Sequence, residues 1–504
     1  MTMGTMYSIV EKSCARFPER TALVYKDRSY TYSELWKEIQ KIKSFFSENC
    51  NHQDIVSLYM ENSDMWLFSY FGIMGAGCIC NPIGLRTSDE NVHYQLKFAQ
   101  PKYLVISAKF KAKCERLELD KYVKVITFSD IVDKIPKKAS EVKLADDDYV
   151  SLMYTSGTKG LQKAIRLRHG TVFNATKNII EYLKVRSDEI SYQILPLTHS
   201  FGLGNVHTTW YMGGKVVVAD NTINYKKILR EMVEHKVSFF AAVPITIKLI
   251  VENYFEEFKQ ADKYLRILCT NTGPMATEIT HKIITECENV QFFTYYGLTE
   301  ASRSSFMHYN LFSDKLESVG KPTPNVQIKL IDLDGKTVNE NGKLGEIFLT
   351  GNHVVEEYWK NKEATDKAFK EGWLATGDIG YFDEEGLLFV IGRDDDIVNI
   401  SGEKVSLQTV DNVIIKLNSV EDVMCLEAPN PTQEFEIHAH VVLNKEANDS
   451  TDQDNKKIKD DIIAHCKKHL DNFQVPKEII FCDEIPRTDS GKARRGYFRN
   501  QKRD

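Results

Sequence analysis

Tyr154-Thr155-Ser156-Gly157-Thr158-Lys159-Gly160-Leu161-Gln162-Lys163 is the stretch on which the fold of this chain turns. Glycine lets backbone approach a ligand closely, and hydroxyls and main-chain N–H groups can wrap phosphate oxygens. Tyr149 to Tyr154, just before it, reads as a short strand, so a phosphate-gripping loop leaves a strand end. It is not a Walker loop, because Gln162 stands where the second glycine would fall and no Lys-Ser/Thr pair follows. Read in isolation, the same residues would also suit a glycine-punctuated surface loop.

Five further stretches follow in order. They are Pro196-Leu197-Thr198-His199-Ser200-Phe201-Gly202, Tyr295-Tyr296-Gly297-Leu298-Thr299-Glu300 and Gly372-Trp373-Leu374-Ala375-Thr376-Gly377-Asp378. Then come Gly392-Arg393-Asp394-Asp395-Asp396 and Pro486-Arg487-Thr488-Asp489-Ser490-Gly491-Lys492. The ordered set resembles the adenylate-forming superfamily, which includes acyl- and aryl-CoA synthetases, peptide-synthetase adenylation domains and beetle luciferase. The resemblance runs from about Tyr32 to Lys492.

The resemblance implies a reaction and a role for each motif. A carboxylate is activated as its mixed anhydride with AMP, pyrophosphate leaves, and the acyl group passes to a thiol. Thr155, Ser156, Gly157, Thr158, Lys159, Gly160 and Lys163 would hold the β- and γ-phosphates of ATP. Here Lys159, Gln162 and Ala164 depart from the family's usual residues. Tyr296 would stack on adenine with Gly297 beside it, Thr299 would reach the α-phosphate, and Glu300 would bind Mg²⁺. A single carboxylate suits that ion, which takes oxygen ligands and few of them from protein. Thr272, Gly273 and Pro274 match the adenine-edge segment more loosely.

Asp378 and Arg393 would hold the ribose hydroxyls, and a carboxylate can accept from both of them. Lys492 would bridge carboxylate and α-phosphate during adenylation. Asp395 falls at the family's hinge, and Gly402 would line the thiol's tunnel. Leu407 and Thr409 depart from the family pattern just beyond it. His199 lies where the family places the boundary between nucleotide and acyl pocket; a packed core histidine is the alternative. No acidic residue lies between Thr198 and Tyr211 to hold an α-ammonium group. A fatty or aromatic acid is therefore expected rather than an amino acid, and the leading expectation is a fatty acyl group passed to CoA. The alternative acceptor is the phosphopantetheine arm of a separate carrier protein.

Composition is consistent with this and excludes other classes. The 504 residues exceed one ordinary core. A net charge of −6 leaves no nucleic-acid footprint. Ten scattered cysteines without metal spacing fit reduced thiols. Met1 to Arg20 has no apolar signal region, so no secretory signal is expected, and with the reduced thiols the chain reads as cytoplasmic; a monomer or homodimer is expected. Met65 to Leu85 lacks charge but holds glycines, a proline and polar residues, and reads as a buried helix running into a strand. The basic end, Lys492, Arg494, Arg495, Arg499, Lys502 and Arg503, reads as a solvated tail, with peripheral membrane contact as the lesser reading.

Alternating strand and helix signals up to about Ser318 predict α/β layers with mostly parallel sheets. Thr21 to Tyr30 reads as a hairpin, and Thr31-Tyr32-Ser33-Glu34 as a capping box before a helix with Leu35, Ile39, Ile42 and Phe46 on one face. Short strands and tight turns after Ser318 predict a small β-rich subdomain attached to the large one. The expected domains are 1–394, binding ATP and acid, and 395–504, a small mobile α+β domain carrying Lys492.

Overall fold

The structure is a computed structural model. It describes residues 4–134, 141–155, 162–332, 334–393, 396–400, 403–430, 434–444, 452–486 and 495. The chain falls into two compact units. One comprises Met1–Thr155, Lys163–Gln327 and Leu349–Leu374. The other comprises Ser156–Gln162, Ile328–Phe348 and Ala375–Asp504.

The first unit is built on two twisted sheets. Thr31 caps the helix Tyr32–Asn49 reciprocally with Glu34, and Leu35, Ile39, Ile42 and Phe46 on its inner face are all fully buried. The hairpin before it pairs Thr21–Tyr25 with Arg28–Thr31 and turns at Lys26, whose φ is 53°. From that hairpin a nine-stranded sheet extends. Its parallel centre runs Thr21–Tyr25, Lys215–Val218, Ile190–Gln193, Phe239–Ala241, Ile267–Thr270, Gln291–Tyr296. Ser305–His308 closes it antiparallel to Gln291–Tyr296.

The second, six-stranded sheet is ordered Lys124–Thr127, Tyr103–Ile106, Ile55–Tyr59, Ile79–Pro82, Tyr149–Thr155, Lys163–Arg168. Only the last strand is antiparallel. Ile79–Pro82 and Tyr103–Ile106 are buried at every position, as parallel strands covered on both faces require. The helix Asp64–Gly75 is buried on every side, with Trp66, Leu67, Tyr70, Phe71, Ile73 and Met74 in the main core. Its uniform apolarity is that of an internal helix, and Ile79–Pro82 follows it as a strand. Among the described residues no helix is long and apolar enough to cross a membrane.

The second unit begins with short strands. Gln327–Ile331, Gly345–Thr350, Trp373–Phe382 and Leu388–Arg393 belong to one small sheet. Residues 328–348 and those from 375 onward thus group with the C-terminal segment, whereas the sequence pattern attached them to the large domain. Further on, Val420–Asn430 and Glu434–Leu443 form an antiparallel pair, and Glu478–Phe481 joins in parallel. The helices Leu407–Ile414 and Asp452–His469 cover this sheet through Val410, Ile414, Ile462 and Cys466.

Arg495 corrects the reading of the basic end as a solvated tail. It is buried, donates from Nε to the Cys425 carbonyl (3.2 Å), and pairs with Asp396 (Nη1–Oδ2, 3.2 Å) and Asp411. Burial raises the Asp411 carboxyl to about 6, against the pull of Arg495. A guanidinium with two carboxylates and a carbonyl around it can leave water at a cost that an isolated cation could not meet.

Candidate active site

Three of the sequence motifs leave the carboxyl ends of strands in the parallel centre of the nine-stranded sheet. Ile190–Gln193 leads to His199, Ile267–Thr270 to Thr272-Gly273-Pro274, and Gln291–Tyr296 to Gly297-Leu298-Thr299-Glu300. Ligands of open α/β sheets bind outside these ends, where loops separate and backbone groups are unpaired. His199 is the N-cap of the helix Ser200–Met212 and is half-buried. Thr272 has φ 87°, a left-handed conformation that a β-branched residue adopts only under strain. Gly273 beside it has open space around its α-carbon. Backbone strain of this kind concentrates at ligand-binding loops.

The phosphate-loop strand forms a hairpin. Tyr149–Thr155 and Lys163–Arg168 pair antiparallel, and the pairing ends at Thr155 opposite Lys163. Ser156, Gly157, Thr158, Lys159 and Gly160 lie outside the described residues, as do Asp395, Gly402 and Lys492.

The segment 353–359, which the sequence reading missed, joins this hairpin to the Thr299-Glu300 turn. Trp359 donates its N–H to the Ala164 carbonyl (2.8 Å), and Val355 donates to the Glu300 carbonyl (2.9 Å). Val354 bridges to Ala301. Arg166 pairs with Glu357 (2.6 Å), and Arg168 with Glu356 (3.1 Å). Tyr358 then lies between the two motifs. Its hydroxyl donates to Glu300 Oε1 (2.7 Å), and the Lys163 ammonium sits 4.6 Å from its ring centre. Glu300 is buried, and its Oε2 has no partner among the described residues. Nor does the Lys163 ammonium have a carboxylate partner among them. One carboxylate oxygen is thus fixed and the other left open, next to an unneutralised cation. An oxygen-seeking divalent ion and a polyphosphate fit this donor set. The aromatic doublet Tyr358-Trp359 following Glu356-Glu357 was the signal available in the sequence.

The second unit holds its own pair. Strand register sets Asp378 opposite Arg393, and their side chains pair at 3.4 Å (Oδ1–Nη1). Thr376 Oγ1 donates to the Ile347 carbonyl (2.8 Å) and accepts from the Asp378 N–H (3.0 Å). Gly377 has φ 71°, and a β-carbon there would stand 3.2 Å from Arg393 Nη2. Glycine at that point turns the strand and leaves room for the guanidinium. Asp378 is buried while Arg393 is partly exposed, so the carboxylate is held and the cation remains accessible.

Loops at parallel-strand ends, a hairpin that ends at the glycine-rich stretch and a buried carboxylate with an open oxygen suit a nucleotide-dependent activating enzyme. The family model "AMP-binding enzyme" matches residues 10–359, and "AMP-binding enzyme C-terminal domain" matches residues 409–492. The chain belongs to this family, and it is an adenylate-forming enzyme of the acyl-CoA synthetase type.

It is 26% identical to the peroxisomal trans-cinnamate:CoA ligase of Petunia hybrida, over 98% of this chain and 93% of that protein. It is also 26% identical to the 2-succinylbenzoate–CoA ligase of Bacillus subtilis (strain 168), over 97% and 95%. Its fold matches the structure of o-succinylbenzoate CoA synthetase from Bacillus subtilis in complex with the acyl-adenylate intermediate OSB-AMP. The TM-score is 0.88, at 24% identity, covering 100% of this chain and 99% of that one.

Proposed function

We propose that the protein is an AMP-forming acid–CoA ligase. One observation carries the reading: Glu300 is anchored through Oε1 to Tyr358, keeps Oε2 open, and lies in the same cluster as Lys163. In the first step a carboxylate oxygen attacks the α-phosphorus of ATP. The bond from that phosphorus to the bridging oxygen breaks, and pyrophosphate leaves. In the second step a thiolate sulfur attacks the acyl carbon, the bond to the AMP oxygen breaks, and AMP leaves. The thiol's proton goes to solvent.

The chain's own residues divide this work. Thr155 to Gly160 and Lys163 hold the β- and γ-phosphates, with Lys163 supplying fixed positive charge. Thr299 orients the α-phosphate. A Mg²⁺ bound at Glu300 Oε2 would supply further charge to the triphosphate. Tyr296 and the Thr272-Gly273-Pro274 segment hold the adenine, and Asp378 with Arg393 holds the ribose. Lys492 neutralises the two anions as they join, the stage at which a preorganised cation lowers the barrier most. His199 borders the acid, and Gly402 the thiol. The functional boundary at 394/395, with Asp395 as hinge, belongs to the same proposal.

The names of the relatives favour CoA over a carrier protein as acceptor. The expected fatty-acyl substrate is the finer part of this reading, and a panel of acids tests it. The expected cytoplasmic location is part of this reading too; the Petunia relative is named as peroxisomal, and cell fractionation separates the two. The testing assay supplies ATP, Mg²⁺ and a panel of aliphatic, dicarboxylic and aryl acids, with and without CoA. Acid-dependent AMP and pyrophosphate, and a thioester only with CoA, are expected. Production of ADP and orthophosphate refutes the mechanism.

A further inference from the structure

Arg303 lies three residues beyond Glu300 and is 2% exposed. Its φ is 61°, a strained conformation for a non-glycine residue. The guanidinium lies across the first turn of the helix that His199 caps. Nη1 donates to the Ser200 carbonyl and to Ser302 Oγ, both at 3.0 Å. Nη2 donates to the Phe201 carbonyl (2.9 Å) and to Asn205 Oδ1 (3.4 Å). The rings of Tyr295 and Phe201 flank it at 4.9 and 5.8 Å. A β-carbon on Gly204 would fall 2.6 Å from Nη1, so the helix accommodates the guanidinium only with glycine there.

These bonds satisfy hydrogens but not charge. Every acceptor is neutral, and no ion pair joins Arg303 to a carboxylate among the described residues. The fifth donor, Nε–H, has no partner among them either. Other polar groups are also unpartnered among the described residues: Gln193 Oε1, His207 Nε2 and Thr270 Oγ1, each on a buried residue. The field of Arg303 reaches His207 and Cys269, the latter adjoining Thr270. A fully buried cation is rare unless it is paired. An uncompensated guanidinium beside the Thr299-Glu300 turn is consistent with a counter-ion brought by the substrate.

We propose that Arg303 determines which acid is used, by holding a second carboxylate at the far end of the acyl group. The protein then activates a short α,ω-dicarboxylic acid in preference to a monocarboxylic acid of equal length. This rests on the acid–CoA ligase reading above. Arginine suits the role because its charge is permanent, and Nε–H is the donor left for an incoming carboxylate.

The test measures acid-dependent pyrophosphate release with matched pairs: succinate and butyrate, glutarate and valerate, adipate and hexanoate. Wild type should favour the diacid of its best pair by at least 100-fold in kcat/KM. Arg303→Met should bring that ratio below tenfold and raise turnover of the monocarboxylic partner. Arg303→Lys should retain a preference for the diacid, and thermal unfolding shows that each variant folds. A structural arginine would move both acids of a pair together. Equal loss for both acids in Arg303→Met therefore overturns the proposal. Should that variant not fold, wild type decides alone: preference for the monocarboxylic partner, or none for the diacid, overturns it. Wild-type activity with monocarboxylic or aryl acids only overturns this inference and leaves the ligase standing. Silence with every acid refutes the ligase reading itself.

Discussion

Replacing Tyr358 with phenylalanine removes one oxygen atom and one hydrogen bond, and isolates what that bond does for Glu300. The hydroxyl lies 2.7 Å from Oε1, with both residues buried. The ring stays, so its edge contact with Phe369 at 5.8 Å and its position beneath Lys163 are kept. A hydrogen bond to a charged group contributes about 1.5–3 kcal/mol. If its purpose is to aim Oε2 at Mg²⁺, that energy appears in the adenylation step as a loss of roughly 10- to 150-fold in kcat/KM. Half-saturation for Mg²⁺ should rise in parallel, because a carboxylate free to rotate holds the ion less well. Thioester formation from chemically prepared acyl-AMP should stay near wild type, since no triphosphate takes part. The assay is pyrophosphate release titrated with Mg²⁺, paired with thioester yield from acyl-AMP. Release within twofold of wild type at unchanged Mg²⁺ dependence would refute the reasoning and leave Tyr358 as packing.

Three further outcomes are expected. Lys492→Ala should slow acid-dependent pyrophosphate release by about 10²–10³, or roughly 3–4 kcal/mol, yet leave thioester formation from preformed acyl-AMP intact; equal losses in both would deny it a single-step role. Arg266→Met should destabilise the first unit by about 3 kcal/mol, because it leaves the buried Glu189 carboxylate with only the more exposed Arg186 as cation. Urea unfolding should show this, and adding Glu189→Gln should recover part of it. His169, His353 and His207 are held neutral by burial, with values lowered to about 4, 4 and 3. Unfolded histidines protonate near 6.5. Below that pH the unfolded chain takes up protons that the fold refuses. Stability should therefore be complete above pH 6.5 and fall towards pH 4, by about 3 kcal/mol per residue on an order-of-magnitude scale. Unfolding midpoints unchanged between pH 7 and pH 5 would contradict this.

Local features of the fold were legible because their causes are local. The Thr31/Glu34 capping box and the Leu35, Ile39, Ile42, Phe46 face lie within one helix and its first turn. The three motifs at strand ends were legible because a strand run followed by small or polar residues marks where a parallel strand stops. What escaped was contact across distance. Tyr358 meets Glu300 across 58 residues of sequence, and nothing near either residue signals the other. Arg303 and Arg495 look like surface arginines in sequence, since burial of a cation depends on partners brought from elsewhere. Arg303 meets the turn at Ser200 about a hundred residues away, and Arg495 meets Asp411 across 84. The strand order of the nine-stranded sheet was likewise hidden, because alternation of elements predicts a parallel sheet but not which strands are neighbours.

That strand order sets a timetable for synthesis. The six-stranded sheet draws only on residues between Ile55 and Arg168, so it can close while the ribosome is still producing the rest. The first hairpin cannot. Thr21–Tyr25 takes its parallel neighbour from Lys215–Val218, made about 190 residues later. At about 5–20 residues per second, that strand waits roughly 10–40 seconds with an edge unpaired. A nascent chain stalled before Val218 would therefore carry a complete six-stranded sheet beside a Thr21–Tyr25 strand still lacking its parallel partner.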